Sequence, residues 1–173
     1  MYAYDNENIL NIFCKNYKND YNLITIDLLQ KKGHDINKCN NENITCLHYA
    51  CENGNISLVK KLLKCGANYD VLDIYDNTIM HYACAFNHTK LVKYLLSNLK
   101  NLDLEKKNDS NYTILHYACK NNNYEMVESI LKYCVNIIDE KTKFDKTAIE
   151  LTTNNDIINL LRFYNNYHNS NNN

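Results

Sequence analysis

One tetrapeptide, His-Tyr-Ala-Cys, occurs three times in this chain: at residues 48–51, 81–84 and 116–119. The copies begin 33 and then 35 residues apart, and each is followed by a second apolar stretch with helical spacing. A period of this size is typical of repeat architectures, in which each unit buries its apolar face only against its neighbours. The sequence therefore predicts an array of helical units.

The unit at 40–72 shows how the pattern predicts two helices. Thr45 suits the N-cap of the first helix, because its hydroxyl can bind the free backbone N–H groups of the first turn. Gly54 can take the positive φ that ends this helix. The second helix carries apolar residues at helical spacing, and Gly66 suits the left-handed cap that follows it. In the next two units Asn87 and Asn122 replace Gly54, and asparagine is the residue that best tolerates this conformation after glycine.

These units resemble the ankyrin repeat, which has a β-turn, a Thr-Pro-Leu-His helix start, two antiparallel helices and a Gly-Ala segment. The match is closest at residues 45–48, at Leu62-Leu63 and at Gly66-Ala67. The resemblance implies an all-α ankyrin-repeat solenoid of helix-turn-helix units joined by β-turn or hairpin loops, with about five units and degenerate end caps.

The resemblance also predicts how the chain divides. We expect a degenerate N-terminal capping repeat, three clear repeats, a shortened C-terminal capping repeat and a disordered asparagine-rich tail. Their ranges, in that order, are 1–39, then 40–72, 73–106 and 107–140, then 141–163 and 164–173. The family's proline is absent, and its turn glycine is replaced at four positions: Asn43, Asp76, Asn111 and Asp145. Asparagine and aspartate can hold the turn at some cost, so the fold should be retained with modest stability.

Composition limits where the chain acts. The formal net charge is −1, so nothing favours a nucleic acid or an anionic membrane. No secretory signal or membrane-spanning run is visible, and we expect a monomer in the cytoplasm or nucleus, or in a host cell if the chain is an effector. The eight cysteines are then expected to be free thiols.

The repeated histidine and cysteine could suggest a metal site or a nucleophile. Each pair supplies only two ligands, and packed helices lie roughly 8–10 Å apart, too far for neighbouring pairs to share one ion. A Cys–His nucleophile would need one activated thiolate with an oriented base, and not three periodic copies. We therefore predict no catalytic residue, no metal and no cofactor. The resemblance implies instead that each histidine bonds the capping threonine, and that each cysteine replaces a small buried alanine.

The candidate partner-binding residues are those that the repeat does not need for packing. In the family, turn tips and the ends of first helices face a concave groove and contact partners. Mapped onto this chain, these positions include eight candidates: Ile44, Ile74, Tyr75, Phe86, Ser110, Tyr112, Lys120 and Phe144. The aromatic members could form a stripe of binding hot spots. Alternatively, they reflect codon bias or pack on adjacent turns.

The favoured function is non-catalytic protein–protein binding through that groove. Two alternatives remain open: an adaptor or regulatory subunit of an enzyme assembly, and a host-directed effector of a parasite or virus. The repeat residues encode the scaffold and do not name the partner.

Overall fold

The structure is a computed structural model that describes residues 9–16 and 23–171, with side-chain burial described as far as residue 167. Within these ranges the chain is helical, and its only β-type pairing is an isolated bridge between Lys141 and Thr147. The α-helices are α1 Ile9–Lys15, α2 Leu23–Lys31, α3 Cys46–Glu52, α4 Ile56–Lys64, α5 Ile79–Ala85, α6 Thr89–Asn98, α7 Ile114–Lys120, α8 Tyr124–Leu131 and α9 Asn155–Asn171. A 3₁₀ helix, Ala148–Leu151, precedes α9.

The chain divides into two compact units, Met1–Tyr82 and Ala83–Asn173. The boundary falls inside α5, and therefore inside the predicted repeat 73–106. The helix pairs α3–α4, α5–α6 and α7–α8 each lie within one predicted repeat. The repeat borders themselves remain a prediction.

In the first unit, α1 packs against α3, α2 packs against α4, and α3 packs against α4. Leu47 of α3 and Leu58 and Leu62 of α4 are fully buried between these helices. Burying a leucine side chain contributes about 1.5–3 kcal/mol, so this face holds the helix pair together. Residues 1–8 and 17–22 of the predicted capping repeat lie outside the described residues.

In the second unit, α8 is central. It packs against α7, α6 and α9, while α7 also packs against the 3₁₀ helix. Leu115 of α7 and Met126 and Ile130 of α8 are completely buried. The apolar faces predicted from helical spacing therefore form the core.

Threonines begin the first helices, as the sequence predicts. Thr45 and Thr113 take extended backbone angles immediately before α3 and α7, and Thr147 does so before the 3₁₀ helix. Each makes a reciprocal capping box with the third residue of its helix, which is His48, His116 or Glu150. Both partners satisfy an orphan backbone donor, which fixes where the helix starts.

The turns use left-handed residues other than glycine. Positive φ angles of 56–60° occur at the four positions where the ankyrin motif has a turn glycine: Asn43, Asp76, Asn111 and Asp145. After α5 and α7, Asn87 and Asn122 take φ of 63° and 52°, close to the 67° of Gly54. The prediction that asparagine and aspartate retain these turns is confirmed.

The last helix extends further than the sequence predicts. Residues 164–173 are polar and asparagine-rich, which predicts disorder, whereas α9 continues to Asn171. Its apolar stripe reaches Tyr164, which is half-buried, and Asn165 Nδ2 donates a hydrogen bond to Asp139 Oδ1 at 3.1 Å. These contacts stabilise the additional helical turns. The described part of the predicted tail is thus helical in this structure, and its last two residues lie outside the described ranges.

Candidate functional site

Each turn that precedes a first helix is built around one polar side chain at its first position: Asn40, Asp73, Asn108 or Thr142. An oxygen of this side chain accepts hydrogen bonds from the backbone N–H groups two and four residues later, at 2.8–3.3 Å. Such side-chain bonds replace the missing backbone partners of a tight turn. The turn tips are therefore held in a defined shape.

A tyrosine nine residues later ties three of these turns to the following helix. Asn40 Nδ2 and Asn108 Nδ2 donate to the hydroxyls of Tyr49 and Tyr117 at 3.3 and 3.1 Å. Tyr82 instead donates its hydroxyl to Asp73 Oδ2 at 2.9 Å. This network was not predicted from the sequence. The constant nine-residue spacing between an Asn or Asp and a tyrosine is the pattern that could have indicated it.

The repeated histidines act as helix caps. Nδ1 of His48 accepts from the Thr45 backbone N–H at 3.2 Å, and lies 2.9 Å from the Thr45 hydroxyl. The equivalent His116 distances are 3.1 and 2.8 Å, and the His116 Nε2–H donates to the Lys146 carbonyl at 3.2 Å. Because Nδ1 accepts, each ring is the neutral tautomer with its proton on Nε2. Burial lowers the pKa of His48 to about 4, and burial also lowers the pKa of His116.

The repeated cysteines are buried thiols. Cys51, Cys84 and Cys119 are completely buried, and burial raises the pKa of all three, that of Cys119 to about 12. A nucleophilic cysteine requires a lowered pKa and access to substrate, and these thiols have neither. Among the described residues, no group of three or more His, Cys, Asp or Glu side chains is arranged to hold a metal ion.

Thiol reactivity should follow this burial. All eight cysteines are free, and only Cys39 and Cys65 are partly exposed. We expect a thiol-specific chromogenic reagent to modify two thiols of the native protein quickly and the other six slowly. After denaturation without reductant, all eight should react. Cys39→Ser and Cys65→Ser should each remove one fast thiol, and more than two fast thiols in the native wild type would contradict the described packing.

In the first unit, the candidate residues have unequal exposure. Ile74 and Tyr75, at the tip of the turn that begins with Asp73, have 52% and 53% of their surface exposed. Ile44 is buried, with 9% exposed. It lies at the base of its turn, where its N–H donates to Asn40 and its carbonyl accepts from Asn11 Nδ2 at 3.2 Å. Because its side chain is covered, Ile44 is not among the exposed residues on which the proposal below rests.

In the second unit, most of the candidate residues are exposed. Phe86 has 52% and Phe144 has 75% of its surface exposed, and Ser110 and Lys120 are exposed as well. Tyr112 is half-buried, with its ring centroid 5.1 Å from that of Tyr117. Packing on Tyr117 thus covers part of the Tyr112 ring, whereas more than half of the surface of each phenylalanine is exposed.

Hydrogen bonds to backbone carbonyls bring the segments that carry these second-unit residues together. Asn121 Nδ2 donates to the carbonyls of Cys84 and Ala85 at 2.9 and 3.4 Å, which places the end of α7 beside the end of α5. The Lys143 N–H donates to the Ser110 carbonyl at 3.0 Å, which joins the two neighbouring turn tips. Together with the 6.0 Å distance from Lys120 Nζ to the Tyr112 ring centroid, these links connect the elements that carry Phe86 and Phe144.

Family models match most of the chain. A model described as "Ankyrin repeats (3 copies)" matches residues 10–108, more than half of the 173 residues, and one described as "Ankyrin repeats (many copies)" matches residues 95–151. The chain belongs to the ankyrin repeat family. The predicted all-α ankyrin-repeat fold is confirmed by these matches together with the helices. No curated protein matches the chain.

Membership in the ankyrin repeat family bears on function at a general level. Ankyrin repeats are generally protein–protein interaction modules and are generally non-catalytic. Among the described residues, no helix is long and apolar enough to cross a membrane. The capping threonines and histidines of this ankyrin-repeat chain form the hydrogen bonds that begin its first helices.

Proposed function

We propose that this ankyrin-repeat chain is a non-catalytic module that binds another protein through its turn tips and the ends of its first helices. The observation that carries the proposal is the exposure of large aromatic side chains at these positions, above all Phe86 and Phe144. More than half of the surface of each phenylalanine is exposed, and aromatic anchors are typical binding hot spots. The scaffold holds them in place through the hydrogen-bonded turns and the bonds of Asn121.

The buried state of the reactive side chains supports a non-catalytic role. The repeated histidines have their Nδ1 atoms committed to the threonine caps, and the repeated cysteines are inaccessible thiols of raised pKa. No cofactor is part of the proposal. We further propose that the chain acts as a monomer in a reducing compartment such as the cytoplasm or nucleus, where free thiols persist.

An alternative binding surface would be formed by the lysines of the second helix of each repeat, such as Lys61 on α4 and Lys93 on α6. Several of these lysines already have partners: Lys61 pairs with Asp27, and Lys93 pairs with Glu125 at 2.6 Å. Exposed pairs of this kind contribute about 0–1 kcal/mol each, and a partner would have to compete with them. This favours the aromatic surface over the lysines.

Alanine substitution separates the two surfaces. Phe86→Ala or Phe144→Ala should weaken binding of a captured partner by about 2 kcal/mol, roughly thirtyfold in Kd, for at least one of the two. Tyr75→Ala tests the first unit in the same way. The partner is obtained by affinity purification from the native cell, and Kd is then measured with the purified partner. Identification of the partner as an enzyme or as a host protein also separates the adaptor and effector alternatives.

Phe163 provides a matched control. It is a phenylalanine of α9 with 65% of its surface exposed, but it belongs to neither a turn tip nor a first helix. Phe163→Ala should leave Kd unchanged, as should Lys93→Glu apart from its salt dependence. Normal binding by Phe86→Ala, Phe144→Ala and Tyr75→Ala together with failure of Lys93→Glu would reject the proposed surface.

A further inference from the structure

The exposed surface of the second unit carries charge as well as aromatic rings. We define the basic aromatic strip as Phe86, Tyr112, Lys120, Lys143 and Phe144. Lys120 Nζ lies 6.0 Å from the centroid of the Tyr112 ring, within the range of a cation–π interaction. The hydrogen bond from the Lys143 N–H to Ser110 and those from Asn121 to the end of α5 connect the elements that carry the strip.

Within the described part of the chain, the two lysines of the strip lack the ion pairs that most other lysines of the second unit form. Five lysines of this unit form ion pairs at 2.6–3.3 Å with glutamate or aspartate: Lys93, Lys107, Lys132, Lys141 and Lys146. Lys120 and Lys143 form no ion pair with a described residue, and both are exposed. Two exposed carboxylates lie in the turns that carry the strip: Asp109, beside Ser110, and Asp145, which pairs with Lys141 at 2.8 Å. The strip therefore keeps two cationic groups available beside three aromatic rings.

We propose that the basic aromatic strip binds an extended acidic segment of a partner protein that also carries bulky apolar side chains. This inference rests on the proposed function and adds the chemistry of the partner. Carboxylates of the segment pair with Lys120 and Lys143, while its apolar side chains pack on Phe86 and Phe144. Charge complementarity of this kind sets orientation and association rate, and the aromatic contacts supply most of the affinity.

A peptide fits this surface better than single-stranded nucleic acid. Nucleic-acid sites combine stacking rings with a positively charged groove that tracks one phosphate per nucleotide. The strip offers two unpaired lysines and the opposing charge of Asp109, and the sole arginine of the chain, Arg162, lies on α9. An acidic segment needs only a few carboxylates, and they can be spaced to match the two lysines.

Selection from a random peptide display library on the full chain tests the proposal. The expected result is enrichment of peptides that combine several Asp or Glu residues with Phe, Tyr, Leu or Ile. The selected peptide, labelled with a fluorophore, is then titrated in anisotropy measurements. Lys120→Glu and Lys143→Glu should each raise its Kd about tenfold, while Asp109→Asn should lower it by about twofold.

Controls make the outcome specific to the strip. Lys90→Glu changes an exposed lysine of α6 in the same unit and should leave Kd within about twofold of the wild type. Lys120→Gln removes the charge without placing a carboxylate at the C-terminal end of α7, and unfolding curves of all variants verify their folding.

Several results would overturn the inference. These are enrichment of neutral or basic peptides, failure to enrich any peptide, equal weakening by Lys90→Glu, or equally tight binding of an oligouridine probe that is lost in Lys120→Glu. If Phe144→Ala weakens the captured partner while the strip lysines have no effect on it or on peptides, the proposed function stands and this inference fails. If neither set of variants affects binding, both fail.

Discussion

Replacing Asp73 with alanine should lower the free energy of unfolding by about 3 kcal/mol, because four part-buried hydrogen bonds are lost, each with a net value of roughly 0.5–1.5 kcal/mol. The Asp73 side chain is buried, with 5% exposed. Its Oδ1 accepts from the N–H groups of Tyr75 and Asn77 at 2.9 and 2.8 Å. Its Oδ2 accepts from Asn77 Nδ2 and from the Tyr82 hydroxyl, both at 2.9 Å. Alanine removes all four bonds at once.

Asparagine at the same position is the matched control. Asn40 and Asn108 already perform this task in their turns, where Oδ1 accepts the two backbone N–H groups and Nδ2 donates to a tyrosine hydroxyl. In Asp73→Asn, the Tyr82 hydroxyl changes from donor to acceptor, and the Asn77 amide can rotate to present its oxygen. We expect a loss within about 1 kcal/mol, the net value of one ordinary hydrogen bond.

Urea unfolding followed by circular dichroism measures both variants. The burial of Tyr82 and its bond to Asp73 raise the pKa of its phenol, so Asp73→Asn should also bring the pKa of Tyr82 closer to its usual value. Equal destabilisation by asparagine and alanine would show that the negative charge matters and not the acceptor geometry. An alanine variant as stable as the wild type would show that water replaces the carboxylate.

Acid should destabilise the chain before its carboxylates are protonated. The folded-state pKa of His48 is about 4, against an ordinary value of 6.5, mainly because burial disfavours the imidazolium. Below pH 6.5 the unfolded chain therefore binds a proton that the folded chain does not. The stability contributed by neutral His48 is complete above pH 6.5 and is lost as the pH falls to about 4. The loss amounts to about 3 kcal/mol, and His116 acts in the same direction.

Two variants assign this pH dependence to the histidine caps. His48→Gln keeps a side chain that can complete a capping box but cannot titrate, so the fall in stability between pH 6.5 and 4.5 should be clearly smaller. Glu150 holds the equivalent place in the last box, where bonds to Thr147 keep its pKa at about 2. Glu150→Gln should therefore leave the slope in this window unchanged. A wild-type stability that stays constant from pH 7 to 4.5 would contradict the described burial of His48.

The parts of the structure that could be predicted are those fixed by neighbouring residues. A threonine before an apolar helix, or an asparagine where the turn requires a positive φ, acts within a few residues of the chain, and these predictions are confirmed at Thr45, Asn43 and Asn122. The burial of Ile44 was not predictable from its neighbours, because it depends on the base of a turn and on Asn11, which lies 33 residues away. The ion pairs of the second unit are of both kinds: three join residues four apart, which a local pattern could have predicted, whereas Lys93–Glu125 and Lys107–Glu140 join residues 32 and 33 apart.

The tail shows a different limit of sequence reasoning. Its composition is that of a disordered segment, yet the half-buried side chains of Tyr164 and Asn165 tie the described part of α9 to the rest of its unit. Composition describes the average solubility of a segment, whereas one well-placed contact can extend a helix that has already formed.

The left-handed turns also influence how such a chain can diverge. Each turn requires a backbone angle, and glycine, asparagine and aspartate all supply it at positions such as 54, 76 and 87. Exchange among these three residues can therefore preserve the turn, while the neighbouring tip residues Tyr75 and Phe144 have more than half of their surface exposed. Under the proposed function, a change of partner would need substitutions only at such exposed tips, and the architecture of the repeats would stay the same.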